Sequence, residues 1–203
     1  MENPEIGAFV AGWSTTGSQG SFAWLVTQDC EHQVQALMPN VGPGFRRVGD
    51  SVIHETAVVE AGAVLKGPVI IGERSFVAAG AYLRGGAYLG NDCIVGPSCE
   101  IKSSFMLAAS KLAHFNFVGD SIIGEQVNIE AGAIVANYRN ELDGAPIRIL
   151  HEDWVIETGV RKFGALIGDG CKIGANAVIA PGAILRPGTL VPRLALVDQY
   201  AAV

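Results

Sequence analysis

The sequence is short of large rings and of charge: aromatic residues make up 7% and charged residues 17% of 203 positions. A core built from this composition must be filled with small aliphatic side chains rather than with Trp, Tyr and Phe. A basic excess is also missing, because 14 Lys and Arg face 20 Asp and Glu, for a net charge of -6. Nucleic-acid backbones need a basic face, so a nucleic-acid partner is not expected. An anionic small molecule needs only a local cluster of Arg and Lys and remains open. The four cysteines, Cys30, Cys93, Cys99 and Cys171, form no C-x-x-C pair, which removes the usual zinc and redox motifs. No metal site is expected. No apolar run approaches the ~20 residues that cross a bilayer. The first residues, MENPEIGAFVAGW, place no basic segment before an apolar one and do not read as a signal peptide. The expectation is a cytoplasmic protein with no membrane partner.

What the chain does contain is a rhythm. Every sixth residue from Ile53 is Ile, Val or Leu: Ile53, Val59, Leu65, Ile71, Val77, Leu83, Leu89, Val95, Ile101 and Leu107. The residue two places earlier is usually small, as at Ser51, Ala57, Ala63, Ser75, Ala81, Ala87, Cys93 and Cys99. A period of six is neither helical nor a simple alternation. It fits a short strand and a tight turn repeated as the flat sides of a prism, with the aliphatic pointing inward. Glycine, at 26 positions, permits the backbone angles of the turns. This is the hexapeptide signature of a parallel β-helix. The fold class read here is all-β, with residues 51–203 forming the β-helix. The small residues Cys93 and Cys99 are expected inside its wall.

Residues 1–50 lack the period. Within them SFAWLVTQDCEHQVQALM, 21–38, predicts one amphipathic helix. Ser21 is its candidate N-cap, and Phe22, Val26, Cys30, Val34 and Leu37 form its apolar stripe. Pro39 ends it. This helix is expected to cap the first coil and cover an open strand edge. RNELDGAPIRIL, 139–150, reads as a loop thrown out of the prism wall, and GVRKFGA, 159–165, as another break. A third irregularity is KLAHFNFVGD, 111–120, where the rhythm is disturbed around a histidine and two phenylalanines.

Around that segment stand LRGGA (83–87), EIK (100–102), K-x-x-H-x-x-F-V-G-D (111–120), V-N-I-x-A-G-A (127–133) and A-N-Y (136–138). In this order and at these spacings the chain, over roughly residues 50–190, resembles the C-terminal acetyltransferase domain of the bifunctional N-acetylglucosamine-1-phosphate uridyltransferases and related sugar-phosphate nucleotidyltransferases. The resemblance implies a left-handed winding of the β-helix, against the usual handedness of parallel crossovers. It implies a homotrimer in which an amino-sugar 1-phosphate and acetyl-CoA meet in a cleft between neighbouring subunits. His114 matches the proposed general base, a role suited to an imidazole that titrates near working pH. Arg84 and Lys102 match the grip on the phosphate. Asn128 and Asn137 match residues that orient the sugar and the histidine, and Tyr138 matches a tyrosine at the sugar. Glu100 is a candidate to orient His114. The backbone N–H of Ala131 is a candidate donor to the oxyanion.

Three departures accompany the match. Phe117 stands where these relatives usually have tyrosine, so a hydroxyl contact is missing. The loop after Asn137-Tyr138 has no lysine where one is expected and offers Arg139, Arg148, Arg161 and Lys162 instead. No nucleotidyltransferase half is recognised, and the first fifty residues are too few to hold one. The leading expectation is an acetyl-CoA-dependent N-acetyltransferase acting on glucosamine 1-phosphate or galactosamine 1-phosphate. The alternatives are a non-catalytic trimeric scaffold or regulatory module that partners a separate sugar nucleotidyltransferase, and an acyltransferase with another acceptor. A carbonic-anhydrase-type β-helix would need three zinc histidines, and His32, His54, His114 and His151 show no such pairing.

Overall fold

The computed structural model describes residues 3–18 and 20–200. Short strands recur along the chain, and those of the coils pair in parallel with their counterparts one coil later. Ser51 pairs with Val69, and Val69 with Ala87, so these coils take 18 residues each. The result is a three-walled β-solenoid. One wall carries Ser51–His54, Val69–Ile71, Ile122–Ile123, Ala165–Ile167 and Ala183–Leu185. A second carries the two-residue strands from Val58–Val59 to Leu190–Val191. A third includes Val64–Lys66, Phe117–Gly119, Ile134–Val135 and Val178–Ile179. Two longer strands, Tyr82–Leu89 and Glu100–Met106, turn the corner from the third wall into the first.

The predicted inward aliphatics Ile53, Ile71, Val77, Leu83, Leu89, Val95 and Ile101 share one core, joined by Leu112, Val118, Ile129 and Val135. Small side chains line its corners. Cys93 and Cys99 are buried there, as expected. Ser75 and Ser110 tie adjacent turns together: each hydroxyl donates to a glycine carbonyl and accepts a backbone N–H from the next coil. A buried hydroxyl is affordable in such a core only because both of its needs are met.

The rhythm slips rather than stops near residue 103. Ala87 pairs with Ser104, so this coil is one residue shorter than its predecessors. The corner that Gly85 and Gly86 turn is turned in the next coil by Ser103, at φ 48°, and in the one after by Asp120, at φ 47°. The inward residue therefore becomes Met106, and Leu107, expected inside, instead packs against the N-terminal segment. Within 111–120 the chain remains in the wall as the strands Lys111–Leu112 and Phe117–Gly119.

The N-terminal segment differs from the single helix expected. It folds into α1, Ala23–Gln28, and α2, Cys30–Leu37, divided at Asp29, which holds φ -109° and ψ 22°. Phe22 rather than Ser21 occupies the N-cap, with no side-chain capping bond. The two helices bury different sets, Ala23, Trp24, Val26 and Thr27 in α1 and Cys30 and Val34 in α2. A single straight helix has only one such stripe to offer. The segment does not cap the first coil. It lies along the first wall, over the outward-facing Ile70, Phe105, Ile122, Leu166 and Ile184. The first coil's edge is instead covered by the antiparallel strand Phe45–Val48, paired with Ser51–His54.

The two later irregularities, 139–150 and 159–165, are the two legs of one arm. Ile122 pairs with Leu166, so this coil takes 44 residues where its neighbours take 17 or 18. The arm contains an antiparallel hairpin, Arg148–His151 with Trp154–Glu157. Its buried Ile147, Ile149 and Ile156 join the cluster formed with the N-terminal segment. Among the described residues no helix is long and apolar enough to cross a membrane.

α2 can sit this close only because Gly86 has no side chain. A Cβ there would lie 2.6 Å from the Glu31 backbone, and φ is 83°. Gly86→Ala should therefore lift α2 off the corner, with about 1–2 kcal/mol from the left-handed backbone alone. The expected signs are a Tm lower by several degrees and faster proteolysis within residues 20–40. All four thiols are buried and free, and burial pushes Cys93 up to about 12 and raises Cys30, Cys99 and Cys171 as well. An aromatic disulfide reagent at pH 8 should label the native protein at less than one site and the unfolded protein at all four.

Candidate functional site

The corner between the third and first walls carries a column of cations. Lys66 pairs in register with Arg84, and Arg84 with Lys102. Strand spacing of about 4.8 Å sets the rise between successive members. The next residue in this column is Gly119. A Cβ on Gly119 would lie 2.7 Å from the Asn137 amide and 2.8 Å from the Phe117 ring. Glycine here lets both side chains close over the wall. Arg84, Lys102, Phe117, Asn137 and Tyr138 then line one cavity of about 570 Å³, together with Arg161 and Lys162 from the returning leg of the arm.

The arm is held by its own ends. Tyr138 and Lys162 form an antiparallel bridge that closes its base. Gln28 donates a hydrogen bond from its side-chain amide to the Lys162 carbonyl at 2.6 Å. The adjacent Phe163 is fully buried, its ring edge-on to Trp24 at 6.0 Å. The N-terminal segment thus fixes the backbone beside the cavity. Of the four cations offered in place of the missing lysine, Arg139 is drawn back to Asp198 and Glu141, and Arg148 to Glu157. Only Arg161 and Lys162 reach this cavity.

Two of the cavity's cations have carboxylate partners. Arg84 donates to Glu100 through Nε at 2.7 Å and through Nη2 at 2.6 Å. Lys102 Nζ lies 2.9 Å from both oxygens of Asp120, whose carboxylate is 5% exposed and also accepts from the Asn137 amide. Removing one member of a pair so nearly buried typically costs about 3–5 kcal/mol. Among the described residues Arg161 and Lys162 have no carboxylate partner. The cavity is therefore net positive in a chain that is net negative, and an incoming anion meets two unpaired cations first.

The remaining expected residues lie elsewhere. His114 is exposed at the corner between the second and third walls, just before Phe117, and outside the cavity. Among the described residues its imidazole makes no hydrogen bond, and its carbonyl accepts the Gly132 N–H at 2.9 Å. Glu100, expected to orient it, is held by Arg84 instead. Tyr82, Glu100 and Phe117 are in one register column, so Glu100 stands a coil away with its carboxylate turned to the cation beside it. Asn137 is likewise turned to Asp120. Asn128 is exposed on the second wall between Lys111 and Lys172. Ala131 occupies the corner one coil beyond His114, and its carbonyl accepts the Asn176 N–H at 3.0 Å. Asp120, which closes the G-D of the quoted motif, joins the site as the anchor of Lys102 and Asn137. Nothing in the period of six distinguishes a carboxylate that anchors a lysine from one in water.

The bacterial transferase hexapeptide (six repeats) family matches residues 50–85, and the hexapeptide repeat of succinyl-transferase matches residues 164–191. A bifunctional sugar-1-phosphate nucleotidylyltransferase/acetyltransferase of Sulfurisphaera tokodaii is 39% identical over 82 residues, 40% of this chain and 20% of the relative. A bifunctional protein GlmU of Methanococcus aeolicus is 42% identical over 80 residues, 39% of this chain and 19% of the relative. Another, of Methanococcus vannielii, is 35% identical over 105 residues, 52% and 25% respectively. The matched part spans a fifth to a quarter of these relatives' length. The chain thus carries the transferase hexapeptide repeat on a parallel β-solenoid, and it resembles a segment of the bifunctional sugar-phosphate nucleotidyltransferase/acetyltransferases.

Proposed function

We propose that the chain is an acyltransferase that moves the acetyl group of acetyl-CoA onto the amine of an amino-sugar phosphate. The observation that carries this reading is the convergence of Arg84, Lys102, Phe117, Asn137 and Tyr138 on one net-positive cavity. A phosphate held by Arg84 and Lys102, with Arg161 and Lys162 beside them, gains charge-assisted hydrogen bonds. It also fixes the sugar over Phe117 with its amine toward the His114 corner. Positioning of this kind supplies a large share of an enzymatic rate. Phe117 offers the sugar an apolar face and no hydroxyl, so the phosphate depends on the cations alone.

The chemistry is direct. The ammonium first loses one proton to solvent. The amine nitrogen then bonds to the thioester carbonyl carbon, the carbon–sulfur bond breaks, and the thiolate leaves with the electron pair. His114 takes the second proton from the attacking nitrogen and delivers it to the thiolate. The products are the acetamide, free CoA and one released proton. The Ala131 N–H is the candidate donor to the tetrahedral oxyanion. The buried cysteines take no part, so no acyl-enzyme forms.

A homotrimer belongs to this reading, because His114 stands at an open corner with no second wall of its own. Phe115, beside it, is 70% exposed at φ 54°, an expensive placement for a bulky ring. Val58 and Val64, on the two walls that meet at the same corner three coils earlier, are 54% and 53% exposed. A neighbouring subunit would bury them and complete the cleft. A specific observation also favours the scaffold reading: His114 has no hydrogen-bonding partner to orient it within the described residues.

Free-thiol release from acetyl-CoA with glucosamine 1-phosphate or galactosamine 1-phosphate separates the two readings. Turnover that falls 10²- to 10⁴-fold in His114→Ala is the result expected of a general base. Absence of turnover with either acceptor would favour the scaffold. Sedimentation should give three times the chain mass of 21.2 kDa, and a monomer at micromolar concentration would remove the shared cleft.

A further inference from the structure

Past Arg84, on the side away from His114, the cation column continues into a second groove of about 640 Å³. It is lined by Lys66, Tyr82, Arg84, Glu100 and, from α2, Glu31. Arg84 lines both grooves, which are separate cavities that follow one another along the third wall. Two register columns run side by side beneath them. One holds the rings of Tyr82 and Phe117 with Glu100 between them. The other holds the charges of Lys66, Arg84 and Lys102. The groove over Tyr82 lies beyond the phosphate grip proposed above. Each groove lies within the usual small-molecule range of about 300–1,000 Å³.

We infer that the acceptor is a nucleoside diphosphate-linked amino sugar rather than a sugar monophosphate. This rests on the amino-sugar acetyltransfer proposed above and names the acceptor of that same site. The amino sugar lies over Phe117. Its first phosphate is held by Lys102 and Arg84. Its second phosphate reaches from Arg84 toward Lys66, which has no carboxylate partner among the described residues. The nucleoside then rests on Tyr82, a half-buried ring already flanked by the Arg84 guanidinium at 5.7 Å. Stacking on such a ring tolerates any base. Glu31 suits the nucleoside end, because a carboxylate accepts hydrogen bonds from ribose hydroxyls, whereas Glu100 already shares the Arg84 guanidinium that the phosphates would compete for. The spacing is consistent: two strand rises, about 10 Å, separate the ring that takes the sugar from the ring that takes the nucleoside. The group transfer is unchanged, since the amine attacks the thioester as before and the diphosphate stays intact.

The test uses the full chain, acetyl-CoA and two acceptors, glucosamine 1-phosphate and uridine diphosphate glucosamine, with UDP alone as a binding probe. The inference expects kcat/KM at least tenfold higher for the diphosphate acceptor and calorimetric binding of UDP. It expects Lys66→Ala and Tyr82→Ala each to lower the kcat/KM ratio of the diphosphate to the monophosphate acceptor by about tenfold. That ratio is internal to each variant, so partial misfolding does not move it. A preference for glucosamine 1-phosphate with no UDP binding overturns the inference and leaves the acetyltransferase reading standing. UDP binding without acetyl transfer to either acceptor overturns both.

Discussion

Register is the constraint on which everything else in this molecule depends. In a stacked solenoid a side chain can point outward only directly above its equivalent in the previous coil, one strand spacing away. Lys66, Arg84 and Lys102 form a column because their residues occupy the same position of three consecutive coils. Three cations at such spacing repel one another, and the fold sets carboxylates from the same corner, Glu100 and Asp120, against two of them, Arg84 and Lys102. The pairs are strong enough to fix the column and leave it open to an anion that competes for the same donors.

The corner where this happens is also where the N-terminal segment meets the prism. Gly86 admits the α2 backbone, and Cys30 turns its thiol to the Gly86 carbonyl at 3.3 Å. From there α1 reaches Phe163 and Lys162, the returning end of the arm. One segment of about forty residues thus covers the apolar outer face of a wall, seats a helix beside the cation column and pins the arm that supplies Arg161 and Lys162. Burial of the wall and placement of the charges are one packing problem with one solution.

Much of this was legible in the residues. The six-residue period marked the inward positions, and the small residues before them marked the corners, because both follow from the same local geometry in every coil. The family resemblance named Arg84, Lys102, Phe117, Asn137 and Tyr138 together with His114, Glu100, Asn128 and Ala131, and the first five line one cavity while the other four lie outside it. What periodicity could not give was set by single residues. The loss of one residue at Ser103 exchanged Met106 for Leu107 in the core. A bend at Asp29 divided one helix into two. The pairing of Glu100 with Arg84 rather than His114 depends on which neighbour lies in the adjacent column, a fact of stacking and not of spacing. The arm hid its unity because its two legs, 139–150 and 159–165, are separated in sequence by the hairpin that joins them.

The arm's base is closed by the Tyr138–Lys162 bridge, with the wall strands on either side already in place. The exposed stretch around 141–146, before the packed hairpin, can grow at little entropic cost, since closure depends only weakly on loop length. Insertions there would leave the coils beneath untouched while changing which side chains overhang the cavity. The solenoid in this way separates the shaping of the cavity rim from the demands of folding, confining the first to a short turn outside the packed hairpin.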